Sequence, residues 1–263
     1  MVVCGDSMEL NRDYESAAIY KWRKKRKKAF VLFICIVGIC FLVTRMVRVE
    51  DKTTVKVHNM HTEQNEKAIR YVASNMIKED PKIAITFDDG PSPAWTPQLL
   101  DGLKERNVKA TFFLIGENAK NNPELVKREA EEGHLIGNHT YHHVEITRVP
   151  DETAQEEILM TNEVITGITG EEVSYMRPPF GVWQKNLERK LDVMPVLWTI
   201  DPLDWTTDNE DEIINKVVTQ AGENYIILLH DCYESSVNAA LRIVDILQKE
   251  GFEFVTVDEL IMN

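Results

Sequence analysis

From Lys82 onward, short apolar runs alternate with amphipathic stretches. The runs are KIAITF (82–87), ATFFLIG (110–116), HLIGNH (134–139), SYMRPPF (174–180), PVLWTI (195–200), YIILLH (225–230) and EFVTV (253–257). They predict seven strands. Between them, residues 96–106, 122–132, 151–168, 184–192, 209–221 and 236–250 have helical spacing. Asp151 and Glu152 suit a helix N-terminus, where side-chain acceptors and negative charge are favoured, and Gly133 and Gly251 sit where helices end. This alternation predicts an α/β fold with a parallel sheet, closed at this length into a (β/α)7 barrel. An open doubly wound sheet is the alternative, but no Gly-rich phosphate loop follows the first strand.

The N-terminal pattern is different. Residues 29–43, AFVLFICIVGICFLV, are fifteen apolar positions without a charge, preceded by KWRKKRKK at 21–28. At helical rise they span roughly 22 Å, short of a hydrocarbon core of about 30 Å. Extension to Val47, with Lys28 and Arg45 reaching toward the headgroups, makes up most of the difference. The expectation is a single membrane anchor at 29–47 with a cytoplasmic basic tail at 1–28 and the rest of the chain outside the cell. A cleaved signal peptide competes; a 28-residue leader and the lack of a small-x-small site argue against it. Residues 48–80 read as a stalk with a helix over Glu63–Lys78, leading into a domain at 81–263.

Charge sharpens that division. The chain of 263 residues has 30 Lys and Arg against 43 Asp and Glu, net −13. Residues 1–28 carry a net +4, and everything from position 44 carries −17. So acidic a body excludes nucleic acid as a partner. Of the four cysteines, only Cys232 falls in the external body, so no intrachain disulfide is available and the fold rests on its core.

Reactive side chains collect where strands end, the end of a barrel at which chemistry gathers. The first strand ends in Asp88-Asp89-Gly90-Pro91, where a turn lets both carboxylates approach one site. The third ends in His139-Thr140-Tyr141-His142-His143; His139 and His143 converge if the chain between them makes one turn. Two neutral imidazoles and one carboxylate, with an open position, describe a catalytic metal site of the zinc kind. His142 points away from that metal, and His134 reads as packing. Arg177-Pro178-Pro179-Phe180-Gly181 puts an Arg beside the acidic cluster, where it holds a carboxylate ionised, on a rigid backbone able to offer an N–H to an oxyanion. Asp201-Pro202-Leu203-Asp204-Trp205 and Leu228-Leu229-His230-Asp231 complete the set. His230 is placed for proton transfer, a partner carboxylate raising its pKa, and Trp205 is either core or a sugar platform. Together these residues are equipped for metal-assisted hydrolysis of an amide or ester. Spacing alone does not name the substrate.

The motifs TFDDGPS (86–92), HTYHH (139–143), RPPFG (177–181), DPLDW (201–205) and LLHD (228–231), in this order, resemble those of the NodB-type polysaccharide deacetylases, carbohydrate esterase family 4, over about residues 80–260. The resemblance implies a distorted seven-stranded barrel. It implies that Asp89, His139 and His143 bind a divalent metal, Zn2+ first with Co2+ or another transition ion possible, and that Asp88 takes a proton from the attacking water. The metal and the Phe180 N–H would stabilise the oxyanion and His230 would protonate the leaving amine. Arg177 would orient Asp88, Asp204 would pair with His230, and Pro179, Phe180, Trp205 and Leu228 would line the substrate groove. Phe180 replaces a common Tyr, which a backbone role tolerates. Cys232 stands where a small residue is commoner and reads as buried rather than as an extra ligand or an oxidation-prone thiol.

With an anchor on the wall side of a membrane, the expected substrate is N-acetylglucosamine in peptidoglycan. Exopolysaccharide, chitin oligomers or acetylated xylan are alternatives. An inactive sugar-binding module would have lost Asp88, a ligand or His230, and none is lost. Two His and a carboxylate also hold non-haem iron in oxygenases, but nothing suggests an organic co-substrate pocket. Protein partners and oligomeric state are left open.

Overall fold

The computed structural model describes residues 80–262, apart from 185–186 and 188–190. The expected tail, anchor and stalk helix fall outside the described residues. Among the described residues no helix is long and apolar enough to cross a membrane.

Seven parallel strands form one curled sheet: β1 Lys82–Asp88, β2 Thr111–Leu114, β3 Leu135–Asn138, β4 Tyr175–Met176, β5 Met194–Pro195, β6 Tyr225–His230 and β7 Glu253–Phe254. The order is β5-β4-β3-β2-β1-β6, with β7 beside the start of β1. Along one edge of β1, Ile83 to Asp88 face Tyr225 to His230 of β6; along the other, β7 pairs with Lys82–Ile83 and β2 with Thr86–Asp88. The register sets Asp88 directly opposite His230. The chain after β5 curls the sheet back on itself. Val196 N–H donates to Met176 O of β4 at 2.8 Å, and Thr199 N–H to Ile226 O of β6 at 2.8 Å.

Alternation along the strands separates two cores. Ile83, Ile85 and Phe87, with Phe112, Leu114, Ile227 and Leu229, face outward. There they meet Leu99, Leu100 and Leu103 of α1 (Thr96–Glu105), Ile213 and Val217 of α5 (Glu210–Val218), and Val237, Ala240 and Ile243 of α6 (Glu234–Lys249). Inside the curl a smaller cluster of Ala84, Phe113, Val196 and Val255 is closed below by Val257 and Leu260 of α7 (Val257–Met262). Above it lies Arg177, fully buried, its guanidinium 4.3 Å from the Phe113 ring centroid. The inner face of β1 therefore passes from apolar Ala84 through Thr86 to Asp88 as it climbs toward the site.

The remaining helices are α2 Gly116–Asn121, α3 Pro123–Glu131 and α4 Asp151–Thr169. Gly133 and Gly251, at φ 82° and 91°, follow α3 and α6 in the left-handed conformation expected of helix ends. The expected helix over 184–192 falls mostly on residues outside the described set. Short α2 and α7 were not anticipated.

Candidate active site

Two imidazole-centred halves face each other across the end of β1. In the first, Asp89 lies just beyond the strand, with φ 72°, and its carboxylate turns toward the β3 loop. Asp89 Oδ1 is 3.4 Å from His139 Nε2 and 3.3 Å from His143 Nε2, and the three donor atoms lie within 4.8 Å of one another. Donors about 2.0–2.1 Å from a tetrahedral zinc are themselves roughly 3.3 Å apart, so the spacing suits such an ion. Asp89 Oδ1 is buried and has no hydrogen-bond partner in the protein, as a ligand atom should be. His139 Nδ1 is 2.7 Å from Arg177 O. A carbonyl only accepts, so Nδ1 carries a proton, and Nε2 is the ring atom turned to Asp89.

Protonation favours the same role. Burial works to raise the Asp89 carboxyl, but the nearby imidazoles of His139, His230 and His143 hold it below the ordinary carboxylate value. Burial, then the neighbouring His139, lowers His143 and favours its neutral form. Anionic oxygen beside neutral imidazole is the ligand chemistry of a borderline divalent ion.

Glu157, on the buried face of α4, shapes the loop that delivers these rings. It accepts hydrogen bonds from Tyr141 N–H at 3.0 Å, His142 N–H at 2.8 Å and His142 Nδ1 at 2.7 Å. His142 is thereby turned away from Asp89. His134 packs against Phe112 and accepts from Ala110 N–H at 3.1 Å; burial, then Lys109, pushes it down to about 4.

Asp88 points inward beside this cluster. Arg177 Nη1 donates to its Oδ1 at 2.7 Å and to Thr86 Oγ1 at 2.6 Å, while Thr86 Oγ1 donates to Ile227 O at 2.6 Å. Other guanidinium nitrogens reach the Val196 and Leu197 carbonyls. The charge pair is buried but extensively hydrogen-bonded, the condition under which burial of charge is tolerated.

The second half belongs to His230. Asp204 accepts from His230 N–H at 2.8 Å through Oδ2 and contacts His230 Nδ1 at 2.9 Å through Oδ1. The carboxylate places the proton on Nδ1 and leaves Nε2 toward the site. Burial lowers His230, but the Asp204 hydrogen bond and charge, then Asp88 and Asp89, raise it to about 9. At neutral pH it is an imidazolium.

The rim is apolar. Phe180 is 61% exposed and Trp205 55%, whereas Pro179 and Leu228 are buried beneath the surface. Phe180 has φ 62°, and its ring lies 5.0 Å from His143. Of seven non-glycine residues with positive φ, two are Asn107 and Asn224; the other five, Asp89, Thr140, His143, Phe180 and Leu203, are in the site loops. Backbone strain of this kind persists where surrounding structure over-determines it.

Cys232 is half-buried and outside the three-residue donor cluster; burial, with Asp89 and other nearby carboxylates, pushes its thiol up to about 12, so it is not a thiolate at neutral pH. Asp231 turns away beneath the Gly90 turn and accepts a hydrogen bond from Thr96 Oγ1, which in turn accepts from Ser92 N–H at 2.7 Å. Thr86, Glu157, Thr96 and Asp231 support the site without having stood out as candidates. Their partners come from other strands and helices; Thr86 and Asp231 lie within the TFDDGPS and LLHD motifs without an assigned role, and no local motif announces Glu157 or Thr96.

A family model described as polysaccharide deacetylase matches residues 75–196. The chain is 37% identical over 216 residues to the peptidoglycan-N-acetylglucosamine deacetylase PgdA of Listeria monocytogenes, covering 80% of this chain and 46% of that protein. It thus spans about half the length of that relative. A Bacillus cereus peptidoglycan-N-acetylglucosamine deacetylase is 38% identical over 199 residues, 73% of this chain and 93% of that one. The structure of peptidoglycan deacetylase PdaC from Bacillus subtilis superimposes with a TM-score of 0.67 at 39% identity, covering 69% of this chain and 90% of that chain. Full-length PdaC, of which 38% is covered at 39% identity over 68% of this chain, is named a peptidoglycan-N-acetylmuramic acid deacetylase.

Proposed function

The chain belongs to the polysaccharide deacetylase family, and from that premise we propose that it hydrolyses the N-acetyl group of N-acetylglucosamine in peptidoglycan and releases acetate. The carrying observation is the placement of two fixed imidazoles around the Asp88–Asp89 pair: His139, with Nδ1 on the Arg177 carbonyl and Nε2 beside Asp89, and His230, held by Asp204 and opposite Asp88.

Asp89, His139 and His143 would hold a divalent ion, with zinc favoured by the donor set. Such an ion, when bound, supplies Lewis acidity toward a carbonyl and lowers the pKa of water. Asp88, oriented by Arg177, takes the proton of the water that attacks the acetamide carbon. The Phe180 amide donates to the oxygen as negative charge develops there. His230 gives its Nε2 proton to the sugar nitrogen, the C–N bond breaks, and acetate leaves a free amine. Asp204 keeps the ring aligned and charged until that transfer. The exposed rings of Phe180 and Trp205 offer apolar faces to the sugar.

The names of the relatives favour a wall glycan, and PdaC raises N-acetylmuramic acid as the second candidate unit. Acetate release from peptidoglycan, with mass analysis of the amino sugar exposed, separates them. Glucosamine is expected; muramic acid alone moves the substrate to the neighbouring sugar, and release from chitin oligomers only moves it off the wall. Placement of residues 29–47 in the cell membrane with residues 48–263 outside belongs to the same reading. Protease treatment of intact cells should remove the domain and spare the basic tail, whereas protection of the domain would refute that orientation.

A further inference from the structure

The acid side of the site carries an aromatic residue with no role in the reaction as described. Tyr233 immediately precedes α6 and is 41% exposed despite its bulk. Its ring stands edge-on to His230, with centroids 6.3 Å apart and planes 72° apart. Phe180 holds the same relation to the metal-side His143, at 5.0 Å and 63°. Each functional imidazole that reaches the surface is thus flanked by one exposed ring. Burial, then Cys232 and the negative charge of Asp89 and Asp204, disfavour ionisation of the Tyr233 hydroxyl, which stays a proton donor.

We infer that Tyr233 is a substrate-binding residue that takes the apolar face of the reacting N-acetylhexosamine ring and gives its hydroxyl to one of that sugar's hydroxyl groups. The position of His230 decides which side the sugar occupies. Its proton goes to the nitrogen that stays with the sugar, so the sugar ring lies on the His230 side and the departing acetyl group on the Asp89 side. A ring rooted at the start of a 16-residue helix is a fixed platform, and tyrosine combines an apolar face with a polar tip. Trp205, following the Asp204 that holds His230, flanks the same side. The sugar then sits between two aromatic walls, while Phe180 stands at the metal side. This assignment rests on the deacetylase reading.

The test uses full-length protein and two substrates, soluble peptidoglycan fragments and a chitin pentamer, with Tyr233→Phe and Tyr233→Ala compared with wild type. Tyr233→Ala should raise KM about tenfold, the equivalent of 1.4 kcal/mol, with kcat and its pH profile little changed. Tyr233→Phe, which keeps the platform, should recover most of that loss. Metal content and unfolding midpoint, measured in parallel, identify a variant that failed through misfolding; in that case Tyr233→Phe alone decides, by a KM raised about threefold for the lost hydrogen bond. Unchanged KM on both substrates, or a fall in kcat alone, overturns the assignment while wild-type acetate release leaves the deacetylase reading standing. Wild-type protein that is metal-loaded yet releases no acetate from either substrate overturns that reading and the assignment with it.

Discussion

His139, buried, and His230, half-buried, are imidazoles both fixed through Nδ1, yet their surroundings make them opposites. His139 gives its proton to a backbone carbonyl, Arg177 O, whereas His230 gives its own to a carboxylate, Asp204. A carbonyl orients a ring without adding charge; a carboxylate both orients it and favours the cation. In the proposed mechanism the same side chain serves as a metal ligand on one strand and as a proton donor on another. What separates them is one partner atom, not the residue type.

Exchanging or removing the rings should break this comparison most severely. His139→Ala is expected to lose bound metal and activity together, whereas His230→Ala keeps the metal and lowers kcat by about 10²–10⁴-fold. Metal analysis beside acetate release checks both; loss of metal in His230→Ala would erase the distinction. Next in size, Arg177→Ala strands the Asp88 carboxylate inside the curl and should cost about 3–5 kcal/mol in denaturant unfolding. A change under about 1 kcal/mol would mean the pair is far less buried than described.

The carboxylate can then be neutralised where it stands. Asp204→Asn should bring His230 down from about 9 toward the ordinary histidine value in metal-free protein, followed by NMR titration of the ring. Because the active acid is the protonated form, the alkaline limb of kcat should move to lower pH. The stability consequence has a defined sign. A folded pKa above the unfolded one stabilises fully below about 6.5, and that contribution is lost as pH rises toward about 9. Asp204→Asn should therefore flatten the stability profile over that window. A His230 titration unmoved by the substitution would show that Asp204 is not its source.

A smaller effect is expected one layer out. Glu157→Gln keeps the shape but weakens the bonds to Tyr141, His142 and their loop, with a loss of about 1–2 kcal/mol and weaker metal binding. Smallest of all, Phe180→Tyr should leave kcat within about twofold, because the amide rather than the ring meets the oxyanion.

The outline of this site could be read in the chain because its chemistry lies at strand ends. Six strand positions and the ends of α3 and α6 followed from apolar runs and the glycines after them, whereas the run at 195–200 meets β5 only at Pro195. The short helices did not. Gly116–Asn121 is six residues with only Ala119 apolar, too brief for a period to register, and Val257–Met262 follows directly on the last strand signal. β4, β5 and β7 have two residues of ladder each although longer apolar runs mark them. Apolar runs report burial, and around Pro195 burial extends beyond hydrogen-bonded pairing. Asp88, Asp89, His139 and His143 stand in recognisable clusters. Glu157, by contrast, sits in an ordinary amphipathic helix, and its three contacts exist only after α4 docks on the loop. Tyr233 reads as a helix-leading residue until β6 sets it beside His230.

One ion held by Asp89, His139 and His143, working with one acid, His230, is the mechanism proposed. Its most direct test follows zinc content and acetate release from peptidoglycan together, as full-length protein is stripped by chelator and reloaded in steps. The account predicts no release from stripped protein, a rise in proportion to bound zinc up to one equivalent, and no recovery in Asp89→Asn. Undiminished release from metal-free protein, or full recovery in Asp89→Asn, would contradict it.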